Sequence, residues 1–157
     1  AKNKLGHARD FLCVGGMGHA SQIATSIAIN QPKRSVYCFD GDGALLMHMG
    51  SMAITASKDL PNFIHIVFNN GCHESVGGQP TVAQKIVLSK VAFSLGYKFS
   101  QTVEDELAFI NILQEAKAFG SASFIEVLVR PGHRVNIGRP TTTPIQNKDA
   151  LMNTLKF

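Results

Sequence analysis

Apolar residues follow two spacings along the chain, and these spacings predict alternating strands and helices. Short, nearly continuous apolar runs are typical of buried parallel strands. Longer segments in which apolar residues recur every three or four positions are typical of helices. The predicted strands cover residues 11–14, 35–39, 63–68, 97–103 and 123–129. The predicted helices cover residues 20–30, 44–57, 82–95 and 104–119, and a short one lies near residues 149–156.

This alternation, with its short connections, predicts an α/β fold: a doubly wound, mostly parallel sheet with helices on both faces. Residues 1–157 are predicted to form one domain, in which an irregular arm begins at Pro131. Sheets of this type bind ligands beyond the carboxyl ends of their strands. Glycine-rich turns follow the first three predicted strands, so we expect a ligand site there.

Composition excludes several classes of protein. The chain is 45% hydrophobic and 17% charged, which is typical of a folded domain and not of a disordered segment. Its apolar runs are too short to cross a membrane, and residues 1–10 have no signal-peptide pattern. The 3 cysteines form no C-x-x-C pair, which favours a reducing compartment. We therefore expect a cytoplasmic protein, or a segment that lacks its natural beginning, with no membrane partner.

The formal net charge of +4 does not by itself indicate a nucleic-acid partner. The basic residues are scattered, apart from those near Arg130, Arg134 and Arg139, and the sequence has no basic stripe with interleaved aromatic residues. A small anionic ligand accounts for a mild positive charge equally well. No nucleic-acid partner is predicted.

The first glycine-rich turn, Gly15-Gly16-Met17-Gly18, lies between a predicted strand and a predicted helix. Glycines at such a place let a ligand approach the backbone, and the N-terminus of a helix offers unpaired N–H groups to an anion. The alternative is a tight turn that binds no ligand.

The second and third turns carry oxygen donors. Gly41-Asp42-Gly43 directly follows a predicted strand, and its carboxylate suits a hard cation such as Mg²⁺ together with phosphate oxygens. The alternative is that Asp42 only caps the next helix. Asn69-Asn70-Gly71 follows the next strand, and its amide oxygens also suit a hard cation, although such a tripeptide is often just a turn. Adjacent strands would bring Asp42 and Asn70 into one crevice.

The spacing of these two turns, with residues 44–68 between them, resembles the thiamine diphosphate-binding signature GDG…NN. The likeness extends over residues 16–21, 41–50 and 69–80 and to Gly138-Arg139-Pro140. In these segments the chain is similar to the phosphonopyruvate and sulfopyruvate decarboxylases. The resemblance covers nearly the whole chain but only one domain of that family, the diphosphate-binding domain.

The resemblance implies a thiamine diphosphate-dependent enzyme that decarboxylates a small 2-oxo acid. The expected reaction converts phosphonopyruvate to phosphonoacetaldehyde and CO₂, and the alternative is the β subunit of a sulfopyruvate decarboxylase. The family's pyrimidine-binding domain, which supplies the activating glutamate, has no counterpart in these 157 residues. We therefore expect a pyrimidine-binding domain or subunit as partner, a homo- or hetero-oligomer, and no activity from this chain alone.

By the same resemblance, the metal would be Mg²⁺. The side chains of Asp42 and Asn70 and the backbone carbonyl of Cys72 would be its protein ligands. The diphosphate would be lined by Gly41, Gly43 and Ala44. The dipole of the helix that follows this turn would also favour the diphosphate.

The first turn would hold the other end of the cofactor. The resemblance implies that the Gly15 carbonyl accepts a hydrogen bond from the 4′-amino group, and that the neighbouring Gly16 also contacts the cofactor. Met17 would be the apolar side chain that keeps the cofactor bent, a use that suits methionine because it is apolar and adaptable. Ordinary core packing is the alternative for Met17.

Several other polar residues have weaker assignments. His73 and Glu74 lie beside the expected metal and suit general acid catalysis, although they could simply order their own loop. Arg134 and Arg139 could bind a phosphonate or sulfonate, but a solvated basic arm explains them as well. His65 lies in a predicted strand and has no assigned role.

Two other classes of protein compete with an enzyme. A non-catalytic nucleotide-binding module should carry an acidic residue about twenty residues after its first glycine turn. This chain has Lys33-Arg34 there, and such a module leaves Asn69-Asn70 unexplained. The second competitor is a degenerate domain that only holds an oligomer together, and the intact Asp42 and Asn70 argue against it.

Overall fold

The computed structural model describes residues 9–155 and divides the chain into two compact units. The sheet unit is Met17–Gly132. The terminal unit combines Ala1–Gly16 with His133–Phe157, of which residues 9–16 and 133–155 are described. The single domain predicted for residues 1–157 remains a prediction.

The sheet unit alternates strands and helices as the apolar pattern predicts. Its strands are β1 (Val36–Gly41), β2 (Phe63–Asn69), β3 (Cys72–His73), β4 (Gln79–Pro80), β5 (Phe99–Val103) and β6 (Ser123–Leu128). Its α-helices are α1 (Ala20–Asn30), α2 (Asp42–Met47), α3 (Ser51–Ser57), α4 (Leu88–Ser94) and α5 (Glu106–Phe119). Short 3₁₀ helices form at Glu74–Val76 and Ala83–Lys85. The terminal unit contains α6 (Pro144–Leu155).

The main sheet has four strands in the order β1-β2-β6-β5, and every neighbouring pair is parallel. The two short strands β3 and β4 form a separate antiparallel pair in the loop after β2. Parallel neighbours need a crossover connection, and helices provide it between β1 and β2 and between β5 and β6. The predicted doubly wound, mostly parallel α/β fold is confirmed.

Two apolar clusters cover the two faces of the sheet, because successive residues of a strand point to opposite sides. In β2, Phe63 and Val67 are fully buried in the cluster that contains residues of α1, α3 and α4. The alternating residues Ile64 and Ile66 belong to the second cluster, against α5. Burying a large apolar side chain fully contributes roughly 1.5–3 kcal/mol, so these clusters account for much of the stability of the unit.

The second face is not fully covered by the described residues. Phe39 of β1 is 61% exposed and Phe68 of β2 is 38% exposed. Their rings stack with centroids 6.1 Å apart, so they form one continuous apolar surface at the β1 side of the sheet.

The structure differs from several of the predicted elements. Residues 11–14 form no strand, since within residues 9–155 no other segment pairs with them, and Leu12 and Val14 are exposed. The helix predicted at residues 44–57 is divided into α2 and α3 by a turn at residues 48–50. Gly50, which directly precedes α3, is a poor helix former. The helix predicted at residues 82–95 begins as a 3₁₀ turn and becomes α-helical only at Leu88.

The terminal helix begins earlier than predicted because its start has a capping box. Thr143 Oγ1 accepts a hydrogen bond from the Gln146 N–H at 3.2 Å, and Gln146 Oε1 accepts one from the Thr143 N–H at 2.9 Å. Pro144 occupies the first helical position, where a missing N–H is not costly. The sequence Thr-Pro-Ile-Gln therefore starts α6 five residues before the predicted boundary, Asp149.

None of the helices in the described part of the chain has the length and apolar character that a membrane span needs. The cytoplasmic location remains a prediction.

Candidate cofactor-binding site

The two oxygen-bearing turns lie at the same edge of the sheet. In the parallel pair β1–β2, Gly41 is opposite Phe68, so both strands end at the same level. Asp42 is the first residue of α2, and Asn70 directly follows β2. The expectation that adjacent strands present these two turns together is therefore confirmed.

Asp42 is buried and joined to the loop after β2. Asp42 is 1% exposed, and its Oδ2 accepts a hydrogen bond from Thr81 Oγ1 at 2.5 Å. The N–H of Thr81 donates to the Gly71 carbonyl at 2.8 Å, so one threonine links the two predicted turns. The N-cap of α2 is Gly41, which shows that Asp42 is not simply a capping residue.

The two asparagines at the end of β2 make different contacts. Asn69 is buried, its Nδ2 donates to Glu126 Oε1 at 2.8 Å, and its Oδ1 accepts from the Gly71 N–H at 3.1 Å. Asn70 is half-buried, its Oδ1 accepts from the Cys72 N–H at 3.0 Å, and its Nδ2 donates to Glu74 Oε2 at 3.2 Å. Asn69 thus anchors the turn to β6, while Asn70 lies at the more open side.

Glu126 is a buried carboxylate that the sequence interpretation missed. It is 2% exposed, and its Oε2 accepts hydrogen bonds from the Ser89 N–H at 3.2 Å and from Thr102 Oγ1 at 2.9 Å. Together with the bond from Asn69, these donors stabilise a charge that would be costly to bury alone. A single glutamate inside the apolar run of residues 123–129 is the sequence signal that could have indicated it.

Neighbouring side chains crowd two of the glycines in the second and third turns, Gly43 and Gly71. A Cβ added to Gly43 would lie 2.4 Å from His73 Nδ1, so the imidazole of His73 packs directly on the predicted diphosphate turn. A Cβ on Gly71, whose φ is +70°, would lie 2.3 Å from Gln84 Nε2. A Cβ on Gly41 would meet no described atom within 4 Å, so open space remains above this end of β1.

Glu74 ties the loop together. Its Oε2 accepts hydrogen bonds from Asn70 Nδ2 at 3.2 Å, from Cys72 Sγ at 3.2 Å and from the Gly132 N–H at 3.1 Å. The bond from Cys72 to this carboxylate raises the pKa of the thiol, and burial acts in the same direction. These are the contacts of a residue that orders its loop, and the acid role expected for Glu74 remains a prediction.

The first glycine-rich turn is divided between the two units, with Gly15 and Gly16 in the terminal unit and Met17 and Gly18 in the sheet unit. In the terminal unit, Cys13 Sγ donates to the Gly16 carbonyl at 3.1 Å, and Gly15 has a φ of +78°. In the sheet unit, Met17 is half-buried, and a Cβ on Gly18 would lie 2.6 Å from His48 Nδ1 just after α2. The cofactor contacts expected of Gly15, Gly16 and Met17 remain predictions.

The donors at this edge fit a hard divalent cation and an anionic group. The Asp42 carboxylate and the Asn70 amide oxygen are oxygen ligands of the kind that Mg²⁺ binds, usually beside phosphate oxygens and water. A Cβ built on Gly41 would meet no described atom within 4 Å, so the backbone is accessible next to the first turn of α2, where helix N–H groups favour an anion. The arginines proposed as anion ligands, Arg134 and Arg139, are exposed in the terminal unit.

Known proteins are similar to this chain in sequence and in fold. The model of the thiamine pyrophosphate enzymes' C-terminal TPP binding domain matches residues 3–127. A phosphonopyruvate decarboxylase of Streptomyces viridochromogenes is 36% identical over 138 residues, which are 87% of this chain and 34% of that protein. The sulfopyruvate decarboxylase subunit beta of Methanothermobacter thermautotrophicus is 34% identical over 125 residues, 80% of this chain and 64% of that subunit.

A solved structure supports the fold. It is described as a thiamin diphosphate-dependent enzyme isolated from Mycobacterium smegmatis, and it superimposes with a TM-score of 0.62 at 22% identity, over 75% of this chain and 23% of that one. The chain spans about a third of the length of the phosphonopyruvate decarboxylase. The family match covers most of the chain and includes both oxygen-bearing turns. The chain therefore belongs to the family of the C-terminal TPP binding domain of thiamine pyrophosphate enzymes.

Proposed function

We propose that the chain binds Mg²⁺ and the diphosphate of thiamine diphosphate where β1 and β2 end. The side chains of Asp42 and Asn70 and the backbone carbonyl of Cys72 would hold the metal. The observation that carries the proposal is the link through Thr81, which ties the Asp42 carboxylate to the turn at residues 69–71. A buried carboxylate and an amide oxygen held in this way suit Mg²⁺ next to a phosphate.

The backbone of the second turn would contact the diphosphate. Gly41, Gly43 and Ala44 have no large side chain of their own to keep a phosphate away from the backbone. The N–H groups of Gly43 and Ala44 lie in the first turn of α2 and have no partner within that helix, whereas the Gly41 N–H donates to Asp40 Oδ1. Gly15, Gly16 and Met17 would contact the rest of the cofactor.

The proposed reaction is the decarboxylation of a small 2-oxo acid. Bound thiamine diphosphate supplies the electron sink that loss of CO₂ requires. His73 lies against Gly43, so its imidazole would exchange a proton with a substrate bound at this turn. Glu74 is the second candidate acid, and its bonds to Asn70, Cys72 and Gly132 would also fix the loop around the metal.

The proposed substrate is phosphonopyruvate, which would be converted to phosphonoacetaldehyde and CO₂. The similarity to phosphonopyruvate decarboxylases supports this choice. The second candidate function is that of a sulfopyruvate decarboxylase β subunit, and it is favoured by similarity to subunits named so in three archaea. A phosphonate and a sulfonate are both compact anions of similar size, so a direct substrate comparison is needed to separate them.

We further propose that the chain works with a pyrimidine-binding domain or subunit and is inactive alone. Relatives that are named as β subunits support such a partner. The exposed, stacked rings of Phe39 and Phe68 support assembly into an oligomer, because exposed apolar patches often mark protein interfaces.

The test combines the chain with a pyrimidine-binding domain or subunit and measures cofactor binding and aldehyde formation. Asp42→Asn should weaken Mg²⁺-dependent binding of thiamine diphosphate by at least the roughly 10–100-fold that loss of an outer-shell metal partner causes. Asp149→Asn, the same change on exposed α6, is the matched control. Unchanged binding by Asp42→Asn would refute the metal assignment. A comparison of phosphonopyruvate with sulfopyruvate in the same aldehyde assay shows which of them is the substrate.

A further inference from the structure

A second group of metal-ligating side chains lies inside the sheet unit, on the two strands that lead to the oxygen-bearing turns. Cys38 and Asp40 belong to β1, and His65 belongs to β2. Cys38 is opposite His65 in the parallel register, and Asp40 is two residues further along the same strand, so all three side chains point to one face. Their donor atoms lie within 4.8 Å of one another.

The three side chains are buried, and two of their polar atoms have no hydrogen-bond partner. Cys38 is 3% exposed, Asp40 9% and His65 0%. Asp40 Oδ2 and His65 Nε2 receive no hydrogen bond from any residue that the structure describes, although they face each other at 3.5 Å. Buried polar groups are nearly always paired, so two facing orphan atoms indicate that something belongs between them.

We propose that Cys38 Sγ, Asp40 Oδ2 and His65 Nε2 form a binding site for a zinc-like divalent cation. A thiolate, an imidazole nitrogen and a carboxylate oxygen are ligands of Zn²⁺, whereas Mg²⁺ prefers oxygen ligands and water. The site uses none of the residues assigned to Mg²⁺ and does not rest on the proposed function. The Cys38 thiol would release its proton to solvent as the metal binds.

The geometry is close to what such an ion needs. Metal–ligand bonds of about 2.0–2.3 Å place the ligand atoms of a tetrahedral site about 3.3–3.8 Å apart. The Asp40–His65 separation of 3.5 Å already fits, and the widest pair, within 4.8 Å, must close by about 1 Å. Three protein ligands leave the fourth position for a water molecule.

Surrounding residues hold the proposed ligands in place. His65 Nδ1 lies 3.5 Å from the Tyr97 hydroxyl, so the ring can donate there while Nε2 faces the metal. The ring also packs edge-on against Phe124, with centroids 5.4 Å apart. Asp40 Oδ1 accepts from the Gly41 N–H at 3.1 Å, which leaves Oδ2 directed to His65. This is the pattern of oriented ligands found around protein metal ions.

The test is a Co²⁺ titration of the metal-stripped, full 157-residue chain in excess Mg²⁺, which occupies oxygen-ligand sites. We expect one equivalent of Co²⁺ with a thiolate-to-cobalt charge-transfer band, which added Zn²⁺ abolishes. Cys38→Ser should remove the band. The controls Cys13→Ser and Cys72→Ser should keep it, and the second matters because Cys72 lies beside the proposed Mg²⁺ site.

Two further variants keep the test decisive if Cys38→Ser does not fold, which circular dichroism would show. Asp40→Asn should keep the band but weaken Co²⁺ binding at least about tenfold, and Tyr97→Phe should weaken it about 10–100-fold. The proposal is overturned if the unaltered chain gives no band, if Cys72→Ser removes it, or if a folded Cys38→Ser retains it. Binding by Asp40→Asn as tight as that of the unaltered chain would also overturn it.

Discussion

Replacing Glu126 with glutamine tests how the turn with the two asparagines is held. Glu126 accepts three hydrogen bonds, one on Oε1 and two on Oε2, and the residue is 2% exposed. Glutamine has the same size but only one acceptor oxygen, so its amino group must face at least one buried donor. A buried donor left without an acceptor costs about 1–3 kcal/mol. We expect Glu126→Gln to lower the free energy of unfolding by that amount.

Urea unfolding at neutral pH measures this difference from the midpoint and slope of the transition. The matched control is Glu115→Gln on the exposed side of α5, where a surface substitution should change stability by less than about 0.5 kcal/mol. Because Asn69 bonds to Glu126, the variant should also weaken Mg²⁺-dependent cofactor binding in the assembled enzyme. If Glu126→Gln is as stable as the control, these hydrogen bonds do not stabilise the turn and the reasoning is refuted.

Two other substitutions have expected outcomes that can be checked by thermal unfolding. Gly43→Ala should destabilise the chain by about 1–3 kcal/mol, because the added Cβ would lie 2.4 Å from His73 Nδ1. In the control, Gly50→Ala, the added Cβ would meet no described atom within 4 Å, so this variant should not be destabilised. A similar loss in both variants would contradict the close contact. Hydrogen bonding to Lys98 lowers the pKa of Asp59 from its ordinary 3.8. The stabilisation that ionised Asp59 gives the fold is therefore present above pH 3.8 and is lost as the pH falls through the lowered pKa. Asp59→Asn should therefore reduce the melting temperature at neutral pH but not in strong acid, and an equal reduction at both would count against this assignment.

Much of the fold follows from the apolar pattern because buried parallel strands need nearly continuous apolar runs. Residues 63–68 were predicted as a strand, and β2 is Phe63–Asn69. The run at residues 11–14 is also apolar but forms no strand, because a strand needs a neighbour that pairs with it. Pairing depends on the whole topology, which a local pattern does not contain. The predicted start of α6 is late for a different reason: apolar spacing does not register the capping signal formed by Thr143 and Gln146.

The sequence likewise predicts only some of the residues of the candidate site. Asp42 and Asn70 could be predicted because each directly follows a strand, and parallel neighbours end at the same edge. Thr81 gives no such signal, and the lone glutamate of the run at residues 123–129 indicates a buried charge but not its partners. Both residues contact the turns only after the loop at residues 71–81 folds back and β6 pairs with β2. The residues that supply the chemistry are therefore close to motifs, whereas the residues that hold them are distant in sequence.

Strand β1 links the two metal sites that we propose. Its alternation places Cys38 and Asp40 on the buried face, and its end places Asp42 in the next turn. The Asp40 carboxylate joins them physically, because Oδ1 accepts from the Gly41 N–H while Oδ2 faces His65. A cation bound to Oδ2 would restrain the carboxylate and, through Oδ1, the backbone where the diphosphate turn begins. Binding of a cation at the buried site should therefore first change how well the Gly41 turn is ordered. An effect on the chemistry at Asp42 would follow from that change.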